Sequence, residues 1–192
     1  MNLPNKISLI RIFAIPVVAF FYLADFIPNA WGKIVALILF AVASLTDFVD
    51  GAIARKTNQV TDLGKFLDSI ADKMLMSTGL LLVVCDGTIM APYGAIVAII
   101  IICREFIISA LRQLAGIHNI VLAADMWGKV KANFQPLGIA MFMLLSVHNS
   151  RAFLGSFTNV YTIICYVIIG IATILTIISA VHYLVKNRKV FK

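Results

Sequence analysis

An all-α membrane bundle of six transmembrane helices is the architecture this sequence predicts, and three observations predict it. Of 192 residues, 61% are hydrophobic and only 13% are charged, roughly half the charged share of an ordinary soluble domain. The apolar residues fall into runs of about 20, the length that crosses a bilayer as helix, separated by short polar turns. The basic residues are lopsided: of 16 Lys and Arg, all but Lys33 and Arg151 fall in segments that six crossings place on one side. By the positive-inside rule that side, with both termini, is cytoplasmic. Six spans and their turns fill the chain, so one membrane-embedded domain over 1–192 is expected. The net charge of +7 forms a basic rim suited to anionic lipids and phosphorylated substrates. No face outside the membrane is large enough to hold nucleic acid.

Each element follows in order. Residues 1–11, MNLPNKISLIR, interleave Asn5, Lys6, Ser8 and Arg11 with Leu3, Ile7, Leu9 and Ile10. That pattern predicts a short interfacial amphipathic segment leading into a first span over 12–24. The run is short enough to pass for a signal-peptide core, but no A-x-A site follows it and Arg11 can snorkel to lengthen the span, so a removed leader is not expected. Pro16 would kink it or lie near its start. Residues 25–32 turn on the outer side, and span two runs from about Trp31 to Ala54. A polar connection, RKTNQVTD, leads to span three, about Lys65 to Val84, and Asp86-Gly87 is an outer turn. Span four begins near Ala91 and continues past Cys103 as REFIISALRQLAG, a helix that projects beyond the bilayer or lines an inner cavity. A connection over 116–127 precedes span five, about Val130 to Val147, and span six covers about Asn159 to Val185. Cys85, Cys103 and Cys165 form no CxxC or metal-ligand spacing, and His118, His148 and His182 carry no motif.

The chemistry lies between residues 47 and 72, DFVDGAIARKTNQVTDLGKFLDSIAD. Asp47 and Asp50 are three apart and Asp68 and Asp72 four apart, so each pair shares one face of a helix. Small residues share those faces: Gly51 and Ala54 on the first, Gly64 on the second. A carboxylate in hydrocarbon costs several kcal/mol unless it is paired, hydrated or metal-bound. Four carboxylates with no His or Cys beside them suit a hard divalent cation, Mg²⁺ or Mn²⁺. One or two such ions would neutralise a diphosphate and clamp the entering and leaving oxygens of a phosphoryl transfer. The plainer alternative is an ion-pair network with Arg55, Lys65 and Lys73.

The pattern Asp47-x2-Asp50-Gly51-x2-Ala54-Arg55-x8-Gly64-x3-Asp68-x3-Asp72 resembles the signature of the CDP-alcohol phosphotransferase family, with every position filled. Two further segments, CREFIISALRQLAG and WGKVKANFQ, and the opening NLPNxxSLxR resemble those of the bacterial phosphatidylglycerophosphate synthase branch. Ala132-Asn133 departs from the threonines usual there. The resemblance implies a homodimeric enzyme of the bacterial cell membrane, active on the cytoplasmic side, that moves a phosphatidyl group from CDP-diacylglycerol to glycerol 3-phosphate and releases CMP. It implies that Asp47, Asp50, Asp68 and Asp72 hold the metal, with Asp72 also the general base. Asp50, Gly51, Ala54, Gly64 and Asp68 would receive the donor nucleotide. Arg55 joins them either as a phosphate contact or as a partner to an aspartate. Arg112 and Lys131, then Arg104 and Lys129, are the candidates for the acceptor phosphate; headgroup anchoring is the other use of basic residues at span ends. Another acceptor (inositol phosphate, serine or phosphatidylglycerol) would keep the same acids. A small cation transporter would instead place its acids near the bilayer midplane within matching halves; here they cluster at one face.

Overall fold

The protein is described by a computed structural model over residues 3–24, 26–56, 62–117 and 126–186. Side chains at 3–4, 47–56, 62–63, 65, 114, 116–117, 126–132 and 186 lie outside the description. Among the described residues there are six α-helices: α1 (Leu3–Leu23), α2 (Trp31–Lys56), α3 (Asp62–Cys85), α4 (Tyr93–Ile117), α5 (Met126–Arg151) and α6 (Thr158–Lys186). Two single 3-10 turns, Pro28–Ala30 and Gly155–Phe157, precede α2 and α6. The shortest helix has 21 residues and the longest 29. At ~1.5 Å per residue each is about 30 Å or more in length, enough to cross the hydrocarbon of a bilayer.

Among the described residues, α1, α2, α4 and α6 contain stretches apolar enough to span: Asn5–Leu23, Pro28–Thr46, Tyr93–Gln113 and Gly155–Val185. The other two helices have the length but carry polar groups at one end. α3 opens with Asp62, Lys65, Asp68, Asp72 and Lys73, and α5 opens with Lys129 and Lys131. That is the composition expected of helices that build a polar site inside an apolar ring. The expected all-α membrane bundle of six helices is the one observed.

Helix α1 packs on α2 and α3, α5 on α2, α3 and α6, and α4 on α3 and α6. Their shared interior is apolar: Val18, Phe40, Leu75, Leu80, Ile101, Ile139, Phe142 and Ile169 are buried in one cluster. Phe13, Ile99, Ile163 and Val167 point outward, as lipid requires. Two glycines permit the closest approaches. A Cβ on Gly79 would stand 2.6 Å from the Phe40 ring and 2.8 Å from Ile139 Cγ2, and one on Gly32 would stand 2.4 Å from the Phe21 carbonyl oxygen. In α6 the buried hydroxyls of Thr173 and Thr176 donate to the carbonyls of Ile169 and Ala172 one turn back, at 2.7 and 2.6 Å. They therefore satisfy themselves without a partner helix.

The N-terminal segment differs from expectation. Residues 3–23 form one unbroken helix that runs through Pro16; Asn5, Ser8 and Arg11 turn inward while Lys6 stays exposed. The buried stripe of α1 reads Asn5, Ser8, Arg11, Ile15, Val18, Tyr22, steps of three and four that follow one helical face. Ile10 and Phe13 are exposed. A polar stripe at the start of a membrane helix can face headgroups or neighbouring helices. Here α2 and α3 take it, so Arg11 is buried in the bundle and does not snorkel.

At the end of the bundle formed by the 86–92 turn, Asp86 gathers four elements. Its Oδ2 accepts from Tyr22 Oη at 2.8 Å, from Lys33 Nζ at 3.2 Å and from Ser146 Oγ; its Oδ1 accepts from the Thr88 amide at 3.0 Å and the Thr88 hydroxyl. Burial pushes this carboxyl up, but the hydrogen bonds from Ser146, Thr88 and Tyr22 outweigh burial and hold it below the ordinary carboxylate value. At the same end Arg151 reaches the Asn29 carbonyl and lies over the Trp31 ring, 4.5 Å from its centroid. His148 closes α5: its Nδ1 accepts the Leu154 amide at 3.1 Å, and Nε2 meets Thr158 Oγ1 at 2.9 Å. The Thr158 hydroxyl in turn donates to the Gly155 carbonyl at 2.7 Å. With Nδ1 accepting, Nε2 is the ring nitrogen that donates to Thr158.

Candidate active site

Chain direction alone brings the sequence-predicted residues together. α2 ends and α3 begins around the 57–61 connection, so the last three turns of α2, with Asp47, Asp50, Gly51, Ala54 and Arg55, neighbour the first three turns of α3, with Gly64, Asp68 and Asp72. α4 starts at the Asp86 end and finishes at the acid end with Arg104 and Arg112; α5 starts there with Lys129 and Lys131; α6 finishes there. The four acids and four cations therefore share one end of the bundle, opposite Asp86. The side chains of Asp47, Asp50, Gly51, Ala54, Arg55, Lys129 and Lys131 lie outside the described residues, so for these the placement is one of helix position.

Asp68 and Asp72 are described in full, one turn apart on α3. The Asp68 carboxylate is 44% exposed, and its Oδ1 accepts from Arg11 Nη1 at 3.2 Å, the guanidine side chain itself being only 1% exposed. Asp72 is half-buried. Lys73, next in the chain, folds back to donate to the Ser69 carbonyl at 2.7 Å and to Ser69 Oγ at 2.5 Å. It lies within electrostatic reach of Asp72, Arg112 and Asp68, which sets the end of α4 beside the acids of α3. Among the described residues no three His, Cys, Asp or Glu side chains cluster; Asp47 and Asp50 fall outside that set. The donors present are hard carboxylate oxygens, one of them exposed and held by an arginine, and such a set fits Mg²⁺ or Mn²⁺.

The two described candidates for the acceptor phosphate differ. Arg104 is engaged between helices: Nη1 meets Glu105 Oε1 at 3.2 Å and Nη2 donates to Ser179 Oγ of α6 at 2.7 Å. Arg112 is exposed, with its guanidinium 5.7 Å from the centroid of the buried Tyr183 ring. Stacking on an aromatic face leaves the edge of the guanidinium, which carries its donors, available to an anion. The geometry thus favours Arg112 for binding and Arg104 for bracing α4 on α6. Arg11 is the residue that sequence reasoning missed. Its signal was the three-residue step Asn5, Ser8, Arg11, which could be read as facing water as readily as facing helix.

The likenesses to known proteins run the length of this framework. The model of the CDP-alcohol phosphatidyltransferase family matches residues 1–185. A Bacillus subtilis protein named CDP-diacylglycerol–glycerol-3-phosphate 3-phosphatidyltransferase is 37% identical, with 100% of this chain and 97% of the relative covered. Relatives of the same name in Rickettsia felis and Haemophilus influenzae are 33% and 34% identical; 99% and 95% of this chain and 97% and 91% of those proteins are covered. With its eight signature residues placed at one end of a helical bundle and a family match over nearly its whole length, this chain belongs to the CDP-alcohol phosphatidyltransferase family.

Proposed function

We propose that the protein transfers the phosphatidyl group of CDP-diacylglycerol to glycerol 3-phosphate, giving phosphatidylglycerophosphate and CMP. The observation that carries this reading is the full-length likeness to relatives named for that reaction, on a chain whose acid signature is complete. The acceptor choice draws further support from the exposed Arg112, within electrostatic reach of Lys73, the residue after Asp72, where a phosphorylated alcohol needs a cation.

The residues divide the work. Asp47, Asp50, Asp68 and Asp72 would hold one or two Mg²⁺ or Mn²⁺ ions, which supply charge neutralisation at the diphosphate and at the departing CMP oxygen. Gly51, Ala54 and Gly64 would leave backbone open to the cytidine nucleotide, and Arg55 would contact its phosphates or pair with an aspartate. Arg112 and Lys131 draw in the acceptor phosphate, with Lys129 nearby, so that the acceptor hydroxyl approaches the β-phosphorus in line with the leaving oxygen. Asp72 takes the hydroxyl proton as the new P–O bond forms and the bond to CMP breaks. The acid end faces the cytoplasm, where the water-soluble acceptor is found and CMP is released, and the protein acts as a homodimer among anionic lipids.

The test is CMP release from CDP-diacylglycerol by the purified protein in detergent, with glycerol 3-phosphate and Mg²⁺ or Mn²⁺ each supplied or withheld. Release that needs both establishes the reaction. Release only with inositol phosphate, serine or phosphatidylglycerol would retain the acids and reject the acceptor.

A further inference from the structure

The family signature builds the acid site from α2 and α3, yet the structure gives it a third wall. The first half of α1, a helix that packs on α2 and α3, carries a buried polar stripe, Asn5, Ser8 and Arg11, and Arg11 reaches Asp68 of α3. A buried guanidinium carries a desolvation cost of several kcal/mol unless it is well paired. Arg11, at 1% side-chain exposure, is paired with Asp68 through Oδ1, 57 residues away in the chain.

The contact is lopsided in a way that suits a metal ligand. It occupies one carboxylate oxygen, while the Asp68 side chain as a whole stays 44% exposed. A partner that grips one oxygen of a ligating carboxylate fixes its rotamer and leaves the other oxygen aimed at the ion. A fixed cation also lowers the mutual repulsion of four carboxylates before any ion binds. Lysine would match the charge but not the planar fork that sets the direction.

We infer that Arg11 is a positioning residue of the divalent-ion site, acting through Asp68, and that α1 is therefore part of the site. The inference rests on the reading of the four aspartates as metal ligands. It is tested on full-length protein in detergent by titrating Mn²⁺ and following free Mn²⁺ by electron paramagnetic resonance, with thermal unfolding measured in parallel. Arg11→Gln should weaken Mn²⁺ binding about 10–100-fold, the range for loss of a group that orients a ligand. Arg11→Lys should recover part of the loss, and in an Asp68→Asn background Arg11→Gln should weaken binding no further.

Should Arg11→Gln fail to fold, Arg11→Lys alone decides: it must bind Mn²⁺ more weakly than the native protein at an unchanged number of sites. Unchanged affinity with a lowered melting temperature would make Arg11 a structural residue and overturn the inference. Tighter binding would overturn it too, because Arg11 would then be competing with the ion. Absence of Mn²⁺ binding by the native protein would reject the metal reading itself, an outcome distinct from either.

Discussion

Asp68 and Asp72 are one helical turn apart, but their surroundings are unequal. Asp68 is held by a buried arginine, whereas Asp72 is half-buried beside Lys73, whose ammonium is turned back onto Ser69. Asp72→Asn is expected to lower turnover by at least 100-fold, at the low end of the general acid–base range, while CDP-diacylglycerol binding survives. Asp50→Asn is expected to lose binding as well. Equilibrium binding of the donor to the two variants, alongside CMP release, separates the cases; equal loss of binding would remove Asp72 from the role of base.

Asp86 is the residue-scale counterpart at the far end. Its carboxylate accepts from Tyr22, Lys33, Ser146 and Thr88, and Asp86→Ala would leave those donors without their common acceptor. We expect a loss of about 2 kcal/mol in thermal or denaturant unfolding, within the range for unsatisfied, partly buried polar groups. The pH dependence follows in sign. A carboxyl held below its ordinary value of 3.8 contributes stability that is fully present above that value and is lost as pH falls through the folded-state value. The native protein and Asp86→Ala should therefore converge in stability in acid, not in alkali.

Helices α2, α3 and α5 meet where Gly79 lies against Phe40 and Ile139. Two flexible side chains form that contact, so Gly79→Ala is survivable but strained. A cost of about 1–3 kcal/mol, the range for overpacking, is expected in the unfolding free energy, with donor and acceptor KM unchanged because the site is at the acid end. At Gly32 the obstacle is the Phe21 carbonyl at 2.4 Å. Backbone cannot rotate away, so Gly32→Ala should lower the melting temperature more than Gly79→Ala does. The reverse order would mean that the α1–α2 approach is looser than described.

Across the whole molecule the bundle has one polar, reactive end and one clamped end. Only two of the 16 basic residues depart from the cytoplasmic side assigned by charge, Lys33 and Arg151, and both are occupied locally. Lys33 is held by Asp86 and Ser146, and Arg151 by the Asn29 carbonyl and the Trp31 ring. The orientation proposed from the charge bias, with the acid end cytoplasmic, is tested by cysteine accessibility. In a cysteine-free background, Ser156→Cys should react with an impermeant maleimide added outside intact cells, and Gln113→Cys should react only after the membrane is opened. The opposite pattern would invert the orientation. Chelation of divalent ions should abolish CMP release without unfolding the bundle, since the described core is apolar, and added Mg²⁺ or Mn²⁺ should restore it.

The sequence by itself determined the helix count, the approximate span ends and the family signature at residues 47–72. Hydropathy over about 20 residues and acids at steps of three and four are local properties, and a membrane leaves a chain few other ways to bury its backbone. The end-to-end sorting of the site was legible too, because short turns force successive helices to alternate. What only the tertiary structure decided is which neighbour a polar face meets. Asn5, Ser8 and Arg11 have the same spacing whether they face lipid headgroups or α2 and α3. Asp86 reads as an ordinary turn residue until Tyr22, Lys33 and Ser146 arrive from three other helices. Arg104 and Arg112 look equivalent along α4 until α6 engages one with Ser179 and leaves the other exposed over Tyr183. In each case periodicity fixes a direction around one helix axis, and the energy depends on what another helix places in that direction.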